Sequence, residues 1–314
     1  MERPLLPIAN MHSILIIGSS GFIGGQLVRY FSDCGWTVHG CDLRTGDQVY
    51  HFHLLRNLDQ DLAALFQQYR FDYCVNAGGN GLVSKSVEDP VFDFNANVRD
   101  TAILLNAIRQ YSLNTKLLHL SSAAVYGNPK QLPIRETDTP HPVSPYGWHK
   151  RLSELLCQEF AVLHHVQVVI ARPFSVYGPT LHKQLFWDAY RQYADGKPDI
   201  ELWGTGHETR DFIHIQDFAR AAQRLLERGD MKAGIYNLSS GIETSIADAM
   251  TAFTKALQPS PTCRFSGQTR AGDPLHWRAD LTKITALGFS PSISFQEGIA
   301  EVAVRYQQIG NTRT

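Results

Sequence analysis

Ser13 to Phe31 reads SILIIGSSGFIGGQLVRYF: an apolar run, a break of Gly-Ser-Ser-Gly, and apolar residues again at helical spacing. A run of Ile and Leu that ends at Gly18 has the pattern of a fully buried strand, and Phe22, Ile23, Leu27 and Val28 recur as one face of a helix. The break is therefore a strand-to-helix turn. Gly18, Gly21 and Gly24 are spaced Gly-x-x-Gly-x-x-Gly, one residue longer in the first interval than the Gly-x-Gly-x-x-Gly dinucleotide fingerprint. The physical demands are the same: a tight turn, bare backbone against a pyrophosphate, and a helix N-terminus aimed at its charge. An ordinary loop would also use glycine, so the turn alone decides nothing.

The next strand adds weight. TVHGCDL ends at Asp42, about twenty residues past the glycines, where a carboxylate accepts hydrogen bonds from an adenosine ribose. That favours NAD, since a 2'-phosphate would meet Asp42 as like charge, while the neighbouring Arg44 leaves NADP as the lesser alternative. The cofactor cradle is thus read as Gly18, Ser20, Gly21, Phe22, Ile23, Gly24 and Asp42, with Asn76, Ala77 and Gly78 at the end of a later strand.

Beyond this nucleus, VYHFHL, FDYCVNAGG, KLLHLSSAAVYG and VQVVIARPF read as strands, with helices over LDQDLAALFQQY, Pro90 to Tyr111, and from Ser144 and Pro145 to about His165. Strand and helix alternate, which specifies a doubly wound parallel α/β sheet of the Rossmann type. After Pro173 the rhythm is broken by GP, DGKP, GTG and PSP, the mark of a smaller, loop-rich C-terminal lobe. The expected division is a dinucleotide-binding domain over 12–173, with returning segments near 211–240, and a mainly substrate-binding lobe over 174–314. Open α/β sheets bind ligands at the carboxyl ends of their strands, so the lobe should close over the glycine turn.

With 314 residues, 43% apolar and 19% charged, and a net charge of -1, the chain is expected to take a small ligand, with no nucleic-acid or membrane partner. MERPLLPIANMH reads as a loose leader, and no apolar stretch reaches the roughly eighteen residues of a membrane span. Five scattered cysteines without a Cys-x-x-Cys pair fit a reducing cytoplasm and no structural zinc. His51, His53, His164 and His165 have no acid or thiol at metal-ligand spacing, so no metal is expected.

Tyr146 and Lys150 share one face at the start of a helix, where an ammonium favours the phenolate and brings the tyrosine toward useful proton transfer. Tyr126 with Lys130 and Tyr193 with Lys197 show the same spacing, but Gly127-Asn128-Pro129 and Asp195-Gly196 interrupt the helix each would need. Ser122 ends a strand at the same rim as Gly18 and Asp42, able to hold a substrate oxygen beside Tyr146.

Taken in order, GSSGFIG, Asp42, NAGG, SSAAVYG, SPYGWHK, ARPFSVYGP, RDFIHIQD, YNLSSG, RAGDPLHWRAD and LGFSP resemble the extended short-chain dehydrogenase/reductases, in particular the nucleotide-sugar epimerases and dehydratases. The resemblance implies a catalytic triad of Ser122, Tyr146 and Lys150, with Lys150 also touching the nicotinamide ribose. It places Arg210 and Arg270 on the diphosphate of a nucleotide sugar, with Ser175 and Asp273 at the substrate, and a homodimer built on the helices Phe94 to Tyr111 and Tyr146 to His164. A salt bridge to Asp211 or Asp273 is the alternative role for the two arginines. Sugar 4,6-dehydratases of this family carry an acidic pair after the triad Ser or Thr, whereas Ala123 and Ala124 stand here. Ser175 also replaces the asparagine usual before Val-Tyr-Gly. An NAD-dependent nucleotide-sugar 4-epimerase is the expected activity. A 4-keto-sugar reductase is the alternative, and a non-catalytic dinucleotide-binding protein the one from another class.

Overall fold

The computed structural model describes residues 12–45, 50–197, 199–268 and 275–311. Among these the strands are β1 (Ser13–Ile17), β2 (Thr37–Asp42), β3 (His51–Leu54), β4 (Tyr73–Asn76), β5 (Lys116–Leu120), β6 (Val168–Pro173), β7 (Ser175–Tyr177), β8 (Asp199–Leu202), β9 (Thr209–His214), β10 (Lys232–Leu238), β11 (Glu243–Ser245) and β12 (Thr262–Phe265). The helices are α1 (Phe22–Asp33), α2 (Leu58–Gln68), α3 (Val83–Glu88), α4 (Pro90–Phe94), α5 (Asp100–Tyr111), α6 (Pro145–His164), α7 (Gln184–Ala194), α8 (Ile215–Arg228), α9 (Ile246–Lys255), α10 (Thr282–Thr285) and α11 (Phe295–Asn311).

Seven strands form one parallel sheet in the order β10-β6-β5-β4-β1-β2-β3. The strand order reverses at β1 and β4, the switch point where doubly wound sheets bind dinucleotides. Both faces are covered, which is why β1 reads as an unbroken apolar run. Ile14 and Ile16 pack into the layer of α1 and α8, while Leu15 and Ile17 pack into that of α2, α5 and α6. The fold class is therefore the doubly wound parallel sheet read from the sequence.

Two local departures matter for the site. The helix expected from Pro90 to Tyr111 is interrupted by a π-helical turn over Asn95–Arg99. There Asn97, almost wholly buried, donates through Nδ2 to Asp93 at 3.0 Å, and Thr101 Oγ1 donates to the Asn97 carbonyl at 2.8 Å. A side chain drawn inward in this way widens one turn, and such turns are frequent at functional sites. The C-terminal part also holds more strands than its broken rhythm advertises: β11, β9 and β7 form one small sheet, and β12 pairs with β8. Residues 211–214 thus lie in the small sheet, while α8 and β10 join the large one. The small-sheet side has its own core, dominated by aromatic rings such as Phe186, Phe212, Phe253 and Tyr306.

Candidate active site

The glycine turn is shaped by close packing. Gly18 has φ +78°, and a Cβ there would lie 2.7 Å from the Ala77 carbonyl oxygen. At Gly24 it would lie 2.1 Å from the Gly18 oxygen, so helix and strand approach as near as backbone allows. The N-terminus of α1 follows Gly21 with no side chain capping it. Its first amides remain available to an anion, with the positive end of the helix dipole behind them. Asp42 accepts from the Ser20 amide at 3.0 Å and the Arg44 amide at 3.2 Å, so it braces this turn. An ionised carboxylate has about four acceptor sites, which leaves capacity for a ribose. Asn76 Oδ1 accepts from the Gly78 amide at 3.3 Å, fixing the end of β4 beside the turn. This cradle fits a dinucleotide.

A cavity of about 780 Å³ runs from this cradle to the small sheet and is lined by Gly21, Phe22, Ile23, Ala77, Gly78, Ser122, Tyr146, Lys150, Ser175 and Arg210, among others. The structure thus brings these expected site residues to one cavity. Arg270 and Asp273 lie outside the described residues. Arg210 donates to the Thr209 carbonyl at 2.9 Å and lies over the Trp277 ring at 5.8 Å. The Asp211 carboxylate, its alternative partner by sequence, is fully buried and accepts from Ser240, Gly241 and Ala279.

Local sequence explains how the triad meets. Ser144 Oγ accepts from the Gly147 amide at 3.2 Å and Pro145 occupies the first turn, so α6 starts just before Tyr146. A Cβ at Gly147 would sit 2.6 Å from the Ala124 carbonyl oxygen, so this glycine lets α6 press against the short 3₁₀ turn of Ala123–Val125. Ser122 caps that turn, its Oγ accepting from the Ala124 amide at 3.1 Å. Lys150 Nζ donates to the Leu120 carbonyl at 3.0 Å and stands 5.9 Å from the Tyr146 ring centre.

The electrostatics differ from the sequence expectation. Burial pushes the Tyr146 phenol up to about 12, opposed by a hydrogen bond with Ser122 and reinforced by the charge of Asp93. Burial pulls Lys150 down to about 8, opposed by Asp93, Cys157 and Glu154. Loss of water is the largest influence on both groups, raising the phenol and lowering the ammonium. Beneath the site, Glu154 is buried and accepts two bonds from Arg172 at 2.7 Å and one from Ser121 at 2.6 Å. His119, pulled down to about 3 by burial and by Lys150, meets Ser153 Oγ at 2.9 Å.

Sequence reading missed Asp93, His149 and Lys183. Lys183 lines the cavity, with burial and the charge of Arg44 lowering its pKa. His149 stood inside SPYGWHK in plain view, but nothing in the motif showed that its partner is 56 residues away.

A Rossmann sheet whose rim holds Ser122, Tyr146 and Lys150 beside a dinucleotide cradle defines a class: nicotinamide-dependent enzymes with a tyrosine and lysine site. Residues 14–239 match the model of the NAD dependent epimerase/dehydratase family, and the chain belongs to that family. NAD is its cofactor. Among curated relatives, the chain is 28% identical over 307 residues to a putative UDP-glucose 4-epimerase of Methanocaldococcus jannaschii, covering 92% of this chain and 96% of the relative. It is 29% identical over 315 residues to the UDP-glucose 4-epimerase of Mycolicibacterium smegmatis, covering 91% and 96%. Among solved structures, the UDP-glucuronic acid 4-epimerase of Bacillus cereus, in complex with UDP-glucuronic acid and NAD, superposes with a TM-score of 0.85 at 28% identity over 95% of this chain and 99% of that one. The UDP-glucose 4-epimerase of Thermus thermophilus with NAD gives 0.86 at 27% identity over 94% and 99%.

Proposed function

We propose that this chain is an NAD-dependent nucleotide-sugar 4-epimerase in which Tyr146 moves the proton of the C4 hydroxyl. The observation that carries the reading is the rim itself: Ser122, Tyr146 and Lys150 face one cavity, while the positions after the serine are Ala123, buried, and Ala124, at the cavity wall. Neither supplies an acid for elimination, so the chemistry stays at one carbon. NAD, when bound, supplies the hydride acceptor at C4 and a positive charge that favours the phenolate. Gly21, Phe22 and Ile23 hold its pyrophosphate on the N-terminus of α1, Asp42 its adenosine ribose, and Lys150 its nicotinamide ribose. Ser122 orients the C4 oxygen. Tyr146 accepts its proton, keeps it on the phenol while the 4-keto sugar turns over, and returns it. Arg210, with Arg270 from outside the described residues, holds the diphosphate, since a guanidinium fork matches phosphate oxygens. Ser175 contacts the sugar, and Asp273 is assigned to the substrate on the same reading.

The matched relatives act on UDP-sugars by name, so UDP-glucose and UDP-glucuronic acid are the first substrates to test. The enzyme should interconvert C4 epimers with no added NADH or NADPH, and deuterium placed at C4 should remain on that carbon. Stoichiometric consumption of added NADPH by a 4-keto sugar, without epimerisation, would instead identify a reductase.

Residues 12–173 with the returning segments near 211–240 serve as the dinucleotide-binding part, and 174–314 mainly as the substrate lobe. A homodimer through the segments Phe94 to Tyr111 and Tyr146 to His164 is supported by exposed Phe94, Trp148, Leu155 and Leu163 along them. Sedimentation of a monomer at micromolar concentration would remove that element. No described helix is long and apolar enough to cross a membrane, and the five cysteines are free, in keeping with a cytoplasmic setting.

A further inference from the structure

Near Tyr146 and Lys150 lies a carboxylate with no role in the chemistry described so far. Asp93, at the end of α4, is fully buried and accepts from Asn80 Nδ2 at 2.6 Å, Asn97 Nδ2 at 3.0 Å and His149 Nδ1 at 2.5 Å. These donors come from three separate places: the loop after β4 that lines the cavity, the π-helical turn, and α6. A carboxylate only accepts, so the Nδ1 of His149 carries the proton. His149 is one turn past Tyr146 and next to Lys150, and the Phe94 ring packs edge-on against it at 5.5 Å. The loop is held further by Asn80, which donates to the Leu82 carbonyl at 2.9 Å and accepts from the Leu82 amide at 3.1 Å.

We propose that Asp93 and His149 form a positioning pair that locks the cavity loop 79–82 to α6 and places a fixed negative charge beside Tyr146 and Lys150, setting the pH window of proton transfer by Tyr146. The proposal rests on the reading of Tyr146 as the proton-transfer residue, with Lys150 as the ammonium beside it. The groups facing Asp93 are few. From α6 they are Tyr146, His149 and Lys150. On α3, Lys85 and Glu88 pair with each other at the surface, 3.6 Å apart, and on the π-helical turn Arg99 pairs outward with Asp100 at 3.5 Å. On the neighbouring N-cap, Asp89 accepts from the Phe92 amide. The charge of Asp93 acts in one direction on both active groups, opposing the phenolate and favouring the ammonium. Its removal should therefore move both to lower pH.

The test uses the full chain with NAD bound. Asp93→Asn keeps the shape and removes the charge. Both limbs of the pH–rate profile should move acid by about half a unit or more, and the ¹³C NMR titration of the Lys150 side chain, assigned with Lys150→Met, should move with them. A folded Asp93→Asn protein whose Lys150 titration is unchanged overturns the charge role, and does so without touching the epimerase reading. Conversely, a shifted titration in a protein that epimerises no nucleotide sugar supports the pair and counts against that reading. Should Asp93→Asn not fold, His149 carries the test. His149→Phe removes the donor and should raise KM by about three-fold or more and speed amide exchange over 79–82, while His149→Gln, which can still donate, restores both. Equal behaviour of the two variants and the wild type overturns the locking role.

Discussion

Of the three places where a tyrosine is followed four residues later by a lysine, two put the tyrosine to opposite uses. At Tyr126 the phenol is buried, its hydroxyl donates to Asn237 Oδ1 at 2.7 Å, and the Arg172 guanidinium lies 4.7 Å from its ring centre. Lys130 follows beyond the turn at Gly127 and is exposed. At Tyr146 the phenol borders the cavity, and Lys150 is buried one turn below it. Burial raises both phenols. What separates them is the hydroxyl's partner: the first is committed to a side chain of the core, while the second meets Ser122 at the cavity wall, where a ligand can reach both. The same spacing thus becomes structure or chemistry according to whether a helix follows it and what occupies the hydrogen bond.

The strongest way to break this contrast is Tyr146→Phe. Turnover should fall by about 100-fold or more, the usual scale for a lost acid–base group, while melting temperature and NAD binding stay near wild type. Activity within a few-fold of wild type, with a right substrate in hand, would place the proton transfer elsewhere.

The lysine beside Tyr146 sharpens it next. Lys150 is almost fully buried, and its folded pKa of about 8 lies below the 10.5 of an exposed lysine. A lowered lysine binds fewer protons in the folded than in the unfolded state between those two values, so its burial cost is full below pH 8 and relieved as pH rises toward 10.5. Lys150→Met removes that dependence. Denaturant titrations at a series of pH values should show the wild type gaining about 1–3 kcal/mol relative to the variant across the window. A flat difference would mean that Lys150 is solvated in the folded protein.

How much of this was legible in sequence follows from how far each contact reaches. The large sheet could be read because each fully buried strand announces itself locally, as SILII does before Gly18. The triad could be read because Ser144 and Pro145 begin a helix just ahead of Tyr146. The π-helical turn could not, since Asn97 is drawn inward by Asp93 and by the carbonyl of Asn80, 17 residues earlier. The pairing of β8 with β12 was hidden as well: four-residue strands of alternating exposure have no strong pattern, and their partners are 63 residues apart. At Tyr126 the following glycine and proline show locally that no helix continues, but the bond to Asn237, 111 residues away, exists only in the fold.

That bond gives the third test. Tyr126→Phe would leave Asn237 Oδ1 buried with its donor gone, at a cost of about 1–3 kcal/mol, while catalysis should remain within a few-fold of wild type. A large loss of turnover in a folded Tyr126→Phe protein would show that the two regions are coupled through the 3₁₀ turn between them.

Tyr193 completes the comparison with the smallest expected effect. It ends α7, far from the triad in sequence, and its hydroxyl donates to the Gln258 carbonyl at 2.6 Å in a groove beside Lys197 and Pro259. That groove is open, so when the hydroxyl is removed water can reach the carbonyl and little is left unsatisfied. Only the net worth of an intramolecular hydrogen bond is lost, about 0.5–1.5 kcal/mol, and water access puts the expectation at the lower end. Tyr193→Phe should therefore shift the denaturation midpoint slightly and leave turnover unchanged. Tyr126→Phe exceeding Tyr193→Phe in stability, with only Tyr146→Phe losing activity, is the ordering that burial and hydrogen-bond partner require. If Tyr193→Phe matched Tyr126→Phe, solvent access to the vacated acceptor would not be what distinguishes these sites, and the contrast would have to rest on the ring of Arg172, Glu154 and Tyr126 packed beneath the active site.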